Sequence, residues 1–196
     1  GVGEVDGVRR DRKRQERQAR KRADEREAWI QIRGELADQP ALALGPGRMN
    51  TTIWNLWLVL RKLDRNGNEG RWDRAFLVSH FGRDVTDRLR LALMAYWRSM
   101  RPTVRCERRL GEENTYLVVW SIGLMGIYAE AEDPIWATKL SCGEAELATR
   151  YALLEPNGLP SWIGSLAGAH PAEVETVIGT EFLDELLDPG GETVWH

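Results

Sequence analysis

Cysteine and histidine are scarce in this chain of 196 residues, with two of the first and three of the second. Cys106 and Cys142 lie in different segments and make no Cys-x-x-Cys, and no two histidines show His-x3-His spacing. A disulfide framework and a zinc-finger pattern are therefore both unreadable here, and neither a metal nor a cofactor is expected. Long apolar runs are missing too. The longest nearly apolar stretch, Tyr116 to Ala129, covers 14 residues and includes Ser121 and glycines. A membrane span needs ~20, so this reads as a buried core helix and no membrane partner is expected. Gly1 to Ala23 is charged throughout and lacks the apolar core of a secretory signal. Asn50-Thr51-Thr52 fits a glycosylation sequon but is read as a helix start. A reduced, cytoplasmic setting is the expectation.

Basic residues are scarce in only one part of the chain. Residues 111–196 hold Lys139 and Arg150 against 15 acids, net −13. Residues 1–110 hold 25 Lys and Arg against 15 acids, net +10, so the formal charge of −3 conceals a strong polarity. Summed charge of this kind governs steering and non-specific binding rather than fold.

What is present is helical pattern. Residues 8–27 have high helix propensity and no apolar stripe, with weak i,i+4 support from Arg12/Glu16, Arg20/Asp24 and Lys21/Glu25. An all-polar helix is either solvated or held by a partner. Trp29, Ile32 and Leu36 make the first apolar face, and Pro40 with Gly45-Pro46-Gly47 closes the section. Asn50 or Thr51 is placed to cap a central helix carrying Ile53, Trp54, Leu56, Trp57, Leu60 and Leu63. Further helices are predicted around Phe76–Phe81, over Val85–Trp97 and over 116–129. Residues 101–115 read as an Arg-rich loop. Asp133-Pro134 reads as a cap with proline at the first helical position, and Ser141-Cys-Gly-Glu144 as a capping box. Pro160-Ser161 and His170-Pro171 each start another helix, with His170 expected as a cap.

These elements predict an all-α fold of about nine helices. Trp29, Trp54, Trp57, Trp72, Trp97, Trp120, Trp136 and Trp162 supply nearly one large anchor per helix. That suits an irregular, solenoid-like array of stacked helical hairpins, with a compact helical bundle as the alternative. No regular repeat period is visible. The expected organisation is a charged leader over 1–40, a helical-hairpin domain over 41–190, and the start of a following segment at 191–196. The opening Gly-Val-Gly and the closing Thr193-Val194-Trp195-His196 suggest an excised piece of a longer chain.

Motifs with catalytic or ligand-binding chemistry are weak. Asp64-x-Asn66-x-Asn68 resembles the start of a calcium loop, but its sixth position is Glu69 and its twelfth Ala75, where glycine and a bidentate Glu are needed. It is read as an inter-helix turn. The Gly45–Thr51 stretch lacks the Lys and spacing of a phosphate loop. Cys106 sits among Arg101, Arg105, Arg108 and Arg109, which would favour a thiolate, yet a nucleophile also needs a base and an orienting group. No catalytic residue is assigned, and an enzyme is not expected. The four arginines are candidates for pairing with a partner protein or, by default, with the acidic C-terminal helices. Arg9, Arg10, Arg12, Lys13, Arg14, Arg17, Arg20, Lys21 and Arg22 are candidates for sequence-blind, salt-dependent contact with nucleic acid, although a solvated linker helix is the simpler reading.

One resemblance adds to this. Ala95-Tyr-Trp-Arg98, Gly126-Ile-Tyr-Ala-Glu-Ala-Glu-Asp-Pro-Ile-Trp136, Ala148-Thr-Arg-Tyr-Ala152, Asn157-Gly-Leu-Pro-Ser-Trp162 and Ala169-His-Pro171 carry it. Over about residues 85–190 the chain resembles the HEAT-like helical C-terminal region of large bacterial NACHT/STAND-type NTPases associated with antiphage defence. The resemblance rests on helix punctuation and tryptophans, and the family's nucleotide-binding motifs are absent. It implies a sensor or scaffold segment, with ATP hydrolysis elsewhere in a parent chain, and it transfers no catalytic residue. The expected function is thus a non-catalytic helical scaffold or sensor that recognises a protein partner or flanking domains. The alternative is sequence-independent nucleic-acid binding through the basic leader and the Arg-rich loop.

Overall fold

In the computed structural model the backbone is described for residues 2–45, 47–63, 72–109, 118–155 and 158–187. Within those spans the side chains of residues 2–8, 11, 22, 25, 28, 29, 58–63, 118, 184, 185 and 187 lie outside the description. Among the described residues the chain is all-α, without a strand. In order the helices are α1 (Val2–Asp38), α2 (Pro40–Ala43), α3 (Met49–Leu63), α4 (Arg74–Phe81), α5 (Arg83–Ser99), α6 (Val118–Glu130), α7 (Cys142–Ala152), α8 (Ile163–Ala169) and α9 (Pro171–Leu187). Short 3-10 turns lie at Arg105–Glu107 and Trp136–Lys139. No helix among the described residues is long and apolar enough to cross a membrane.

Local chemistry explains most of the boundaries. Pro40 opens α2 at a position where its missing N–H costs nothing. The Asp73 carboxylate accepts from Phe76 N at 2.9 Å and starts α4. Gly82, at φ +81°, lets α4 stop and α5 begin with a single residue between them, in a conformation that a Cβ would strain. The predicted capping box is present: the Ser141 hydroxyl accepts from Glu144 N, and Glu144 Oε2 accepts from Ser141 N at 2.8 Å.

The leader and the first apolar face lie on one continuous helix, α1, which no proline or glycine pair interrupts over residues 2–38. Two local expectations are corrected. α3 begins at Met49, and the Thr52 hydroxyl donates to Ala43 O at 2.6 Å, tying α3 to α2. Asp133-Pro134 yields a turn, with Asp133 Oδ1 accepting from Ile135 N at 3.1 Å, followed by four residues of 3-10 geometry. Within the Arg-rich loop, residues 105–107 form the other 3-10 turn. The Asp64–Asn68 turn and the segment 191–196 lie outside the described residues, as does the side chain of Trp29.

The interior holds two apolar clusters. The first joins Ile32 and Leu36 of α1 to Ile53, Leu56 and Trp57 of α3, Leu77 of α4, and Leu89 and Leu93 of α5. The second gathers Trp97, Trp120, Leu124, Trp136, Ala145, Ala148, Tyr151, Trp162 and Leu166. α5 and α6 contribute to both and make the most extensive helix–helix contact among the described residues. One glycine of α6 permits that closeness, and a second admits a ring of α7. A Cβ at Gly126 would lie 2.4 Å from Leu93 O of α5, and one at Gly123 would lie 2.3 Å from the Tyr151 hydroxyl. α7 and α9 pack on each other, with α8 beside both.

Candidate partner-binding site

The basic and acidic parts of the chain meet at the C-terminal end of α6. Arg90, from α5, donates through Nε to Ala129 O at 2.7 Å and through Nη2 to Glu130 O at 3.3 Å. It thereby satisfies the Ala129 carbonyl, shares the Glu130 carbonyl with Asp133 N, and meets the negative end of the helix dipole. Arg98, two turns further along α5, grips the Glu130 carboxylate with both terminal nitrogens, at 2.6 and 2.8 Å. Trp97 Nε1 donates to the same carboxylate at 2.8 Å. Glu130 is buried, and this three-donor set is what makes its burial tolerable. Arg98 Nε reaches Glu144 at 2.5 Å, which ties the α7 capping box to α5. Burial opposes ionisation of Glu144, but the Ser141 backbone N–H and the Arg98 guanidinium outweigh it and bring its pKa down to about 2.

Among the described residues, Arg74, Arg90 and Arg98 of the basic part reach acids of the other part, and the charge pattern singled out none of them. Arg101 and Arg108 satisfy their own loop. Arg101 pairs with Glu107 at 3.4 Å, while Arg108 donates to Thr103 O at 2.8 Å and lies over the Trp120 ring at 5.2 Å. The loop also docks on the acidic helices through Glu107 and its own backbone. Glu107 takes a two-point grip from Arg150 of α7, at 2.6 and 2.7 Å, which holds its carboxyl below the usual range. Glu181 of α9 accepts from the backbone N–H groups of Arg105 and Cys106. Arg105 and Arg109 are exposed. The carboxylate beside Cys106 is thus already committed to backbone donors.

The leader candidates share one exposed helical arm. Arg9, Arg10, Arg12, Lys13, Arg14, Arg17, Arg20 and Lys21 are all exposed, and Arg12 pairs with Glu16 at 3.2 Å. The side chain of Arg22 lies outside the described residues.

A feature that the sequence did not reveal is an aromatic cleft of about 380 Å³. Trp72, Tyr128, Trp136 and Trp162 line it, with Glu132, Ser161 and Ser165 as its polar groups. Trp162 is the hub: its ring meets Trp136 edge-on at 5.7 Å and 87°, and Tyr128 at 6.3 Å and 78°. Trp72 is fixed by Nε1 donating to Glu132 at 2.6 Å, and Glu132 is held in turn by Arg74 at 3.2 Å. The Tyr128 hydroxyl donates to Glu155 at 3.1 Å. Trp162 is buried, and its Nε1 has no hydrogen-bond partner among the described residues. This volume and mixture of rings with a few polar groups suit a ligand or an inserted side chain.

No family model, curated protein or solved structure matches this chain. The site is accordingly read from its geometry alone. The signal that could have located the cleft is the pairing of Trp136 and Trp162 with a turn or loop on either side, but it becomes visible only once α6 and α8 are packed.

A second assembly was also missed. Cys142, His170 and Glu173 place one potential ligand atom each within 4.8 Å of the others. His170 sits at the N-cap position of α9, its carbonyl accepting from Val174 N at 3.2 Å. Its Nε2 lies 2.9 Å from Ala137 O, reaching the 3-10 turn that carries Trp136. The Cys142 thiol bonds to Glu173, which pushes the thiol pKa up and the carboxyl pKa down. His80 sits in the last turn of α4, with Nδ1 2.9 Å from Phe76 O and its ring stacked on Phe76.

Proposed function

We propose that this chain is a non-catalytic helical recognition module that binds a protein partner through the cleft formed by Trp72, Tyr128, Trp136 and Trp162. The observation that carries this reading is the rigidity of the ring set: each aromatic is fixed by an edge-on neighbour or a carboxylate. Rigid Trp and Tyr clusters around a concave centre are what dominates the energy of protein interfaces. Exposed Phe182, Leu183 and Leu186 on α9 add an apolar ridge of the kind that marks association surfaces. In this reading the helices stack as hairpins, the setting is cytoplasmic, and the module serves as the sensor or scaffold of a larger NTPase of the NACHT/STAND type.

The test is selection of peptides from a displayed random library on the intact chain, followed by titration against Ser165→Trp, which fills the cleft. Binding that weakens at least about tenfold in the variant is expected, a loss of about 1.4 kcal/mol. Peptides that bind Ser165→Trp as well as the original chain would sink the reading.

The exposed basic arm favours a second reading, sequence-blind nucleic-acid binding. Anisotropy with labelled duplex DNA separates the two. Binding that falls steeply with salt and disappears when Arg12, Lys13, Arg14 and Arg17 become Gln would favour the arm over the cleft.

A further inference from the structure

The assembly at Cys142, His170 and Glu173 has a geometry that the recognition function does not require. Cys142 is the first residue of α7, just after its cap Ser141. His170 immediately precedes Pro171, the first residue of α9, and Glu173 follows His170 by one helical turn. The i,i+3 spacing puts imidazole and carboxylate on one side of α9, and the packing of α9 against α7 brings the thiol to them. The three groups come from segments 28 residues apart, which is why no spacing motif announced them.

A thiol, an imidazole and a carboxylate in contact admit two chemistries. In a nucleophilic relay, one imidazole nitrogen takes the thiol proton while the other is oriented by the carboxylate. Here one nitrogen, Nε2, is turned to the Ala137 carbonyl at 2.9 Å. The carboxylate lies at the other nitrogen, with Glu173 Oε2 3.9 Å from Nδ1, and the Cys142 thiol bonds to that carboxylate. The relay is therefore broken, because the sulfur is paired with the carboxylate that should orient the ring. The same arrangement is what a metal ligand needs: a histidine that donates its outer N–H to a backbone carbonyl has its tautomer fixed and presents a lone pair on the other nitrogen.

We propose that Cys142, His170 and Glu173 bind a divalent transition-metal ion of the zinc class, leaving one coordination position open. The donor set selects the metal. One thiolate and one imidazole with a carboxylate suit zinc or cobalt, whereas magnesium and calcium take oxygen donors. Zinc bonds of about 2.0–2.3 Å put tetrahedral ligands about 3.5 Å apart. The present spread of up to 4.8 Å closes to that by rotation of side chains, chiefly that of the exposed Cys142. Its exposure also gives the ion a path in. Two helix N-termini converge at the site, and their partial positive charge offsets part of the repulsion between a thiolate and the adjacent carboxylate. The thiolate and the carboxylate together carry two negative charges, balancing the ion, and the thiol proton leaves to solvent on binding. A metal here would join α7 to α9 and would fix, through His170 and Ala137, the turn that carries Trp136 into the aromatic cleft.

The test is titration of the intact chain with cobalt(II) alone, followed by zinc(II) as competitor, read by absorption spectroscopy. One cobalt per chain is expected, with the intense visible bands of tetrahedral coordination and a sulfur-to-cobalt charge-transfer band in the near ultraviolet, both erased by zinc. Cys142→Ser should abolish the charge-transfer band, and Glu173→Gln should weaken cobalt binding at least about tenfold. Cys106→Ser should leave both unchanged. Far-ultraviolet circular dichroism on each variant establishes that the helices persist. Absence of the charge-transfer band at saturating cobalt, or its survival in Cys142→Ser, would overturn the proposal. These outcomes are independent of peptide binding at the cleft, so either idea can fail alone.

Discussion

The two apolar clusters solve the same packing problem with different residues. The first is mostly aliphatic, built from Ile32, Leu36, Ile53, Leu56, Leu77, Leu89 and Leu93, with Trp57 and Tyr96 as its buried polar-bearing rings. The second sets Trp97, Trp120, Trp136, Tyr151 and Trp162 against Ala137, Ala145, Ala148 and Ala152. Aliphatic side chains bring no polar atoms and can repack. Large rings set against alanines fit in one way only, and each indole or phenol brings a polar atom that must find a partner. Trp97 finds Glu130, Tyr151 finds Met100 O at 3.0 Å, and Trp162 finds no partner among the described residues. Polar obligations inside the second cluster are what draw the charged network around it. They are also why both candidate sites lie on that side.

The sharpest way to break this contrast is Trp97→Ala. It removes one of two fully buried indoles among the described residues and one of three donors to a buried carboxylate, so a loss of about 4 kcal/mol is expected in urea unfolding. A loss below about 2 kcal/mol, no larger than a surface-adjacent truncation, would mean that the ring and its hydrogen bond are not holding the cluster. A paired substitution sharpens the difference in tolerance. Ala148→Val adds volume among rings and should cost about 2 kcal/mol, whereas Leu89→Met in the first cluster should cost less than about 1.5 kcal/mol. Equal costs would erase the distinction.

The smallest effect is acid dependence. Glu144 has its pKa depressed from 4.5 to about 2, so its contribution to stability is complete above the unfolded value and is lost as pH falls from about 4.5 towards 2. Because the side chain is partly exposed, the contribution at neutral pH is about 1–2 kcal/mol after screening. Glu144→Gln should flatten unfolding free energy against pH across that window. An unchanged slope would show that Arg98 and Ser141 do not hold the carboxylate in solution.

Sequence legibility followed the range of the interaction. The capping box at Ser141–Glu144 and the stop at Asp38 before Pro40 depend on neighbours a few residues apart, and both were readable. Asp133-Pro134 was locally ambiguous: an Asx turn and a helix cap use the same carboxylate, and the buried Trp136 with the Ala137–His170 contact favours a tight 3-10 turn there. The charge polarity was readable as a total, but the arginines that answer it were not. Arg90 and Arg98 lie on an ordinary amphipathic helix, and only the docking of α6 along α5 brings Glu130 to them. The resemblance to the helical region of large NTPases bears on what the module serves, and it has no bearing on the cleft or the Cys142 assembly, which arise from packing.

The unbroken course of α1 has a mechanical consequence. From Arg9 to Ile32 the helix spans about 35 Å at 1.5 Å per residue, a solvated rod whose far end is anchored by Ile32 and Leu36. A load applied at the basic tip acts on those two side chains with the leverage of that length. Gly34 lies between the anchors with open space around its Cβ position, making it the softest link in the rod at the point where bending is greatest. The arm is thus a lever with its compliance placed at the fulcrum.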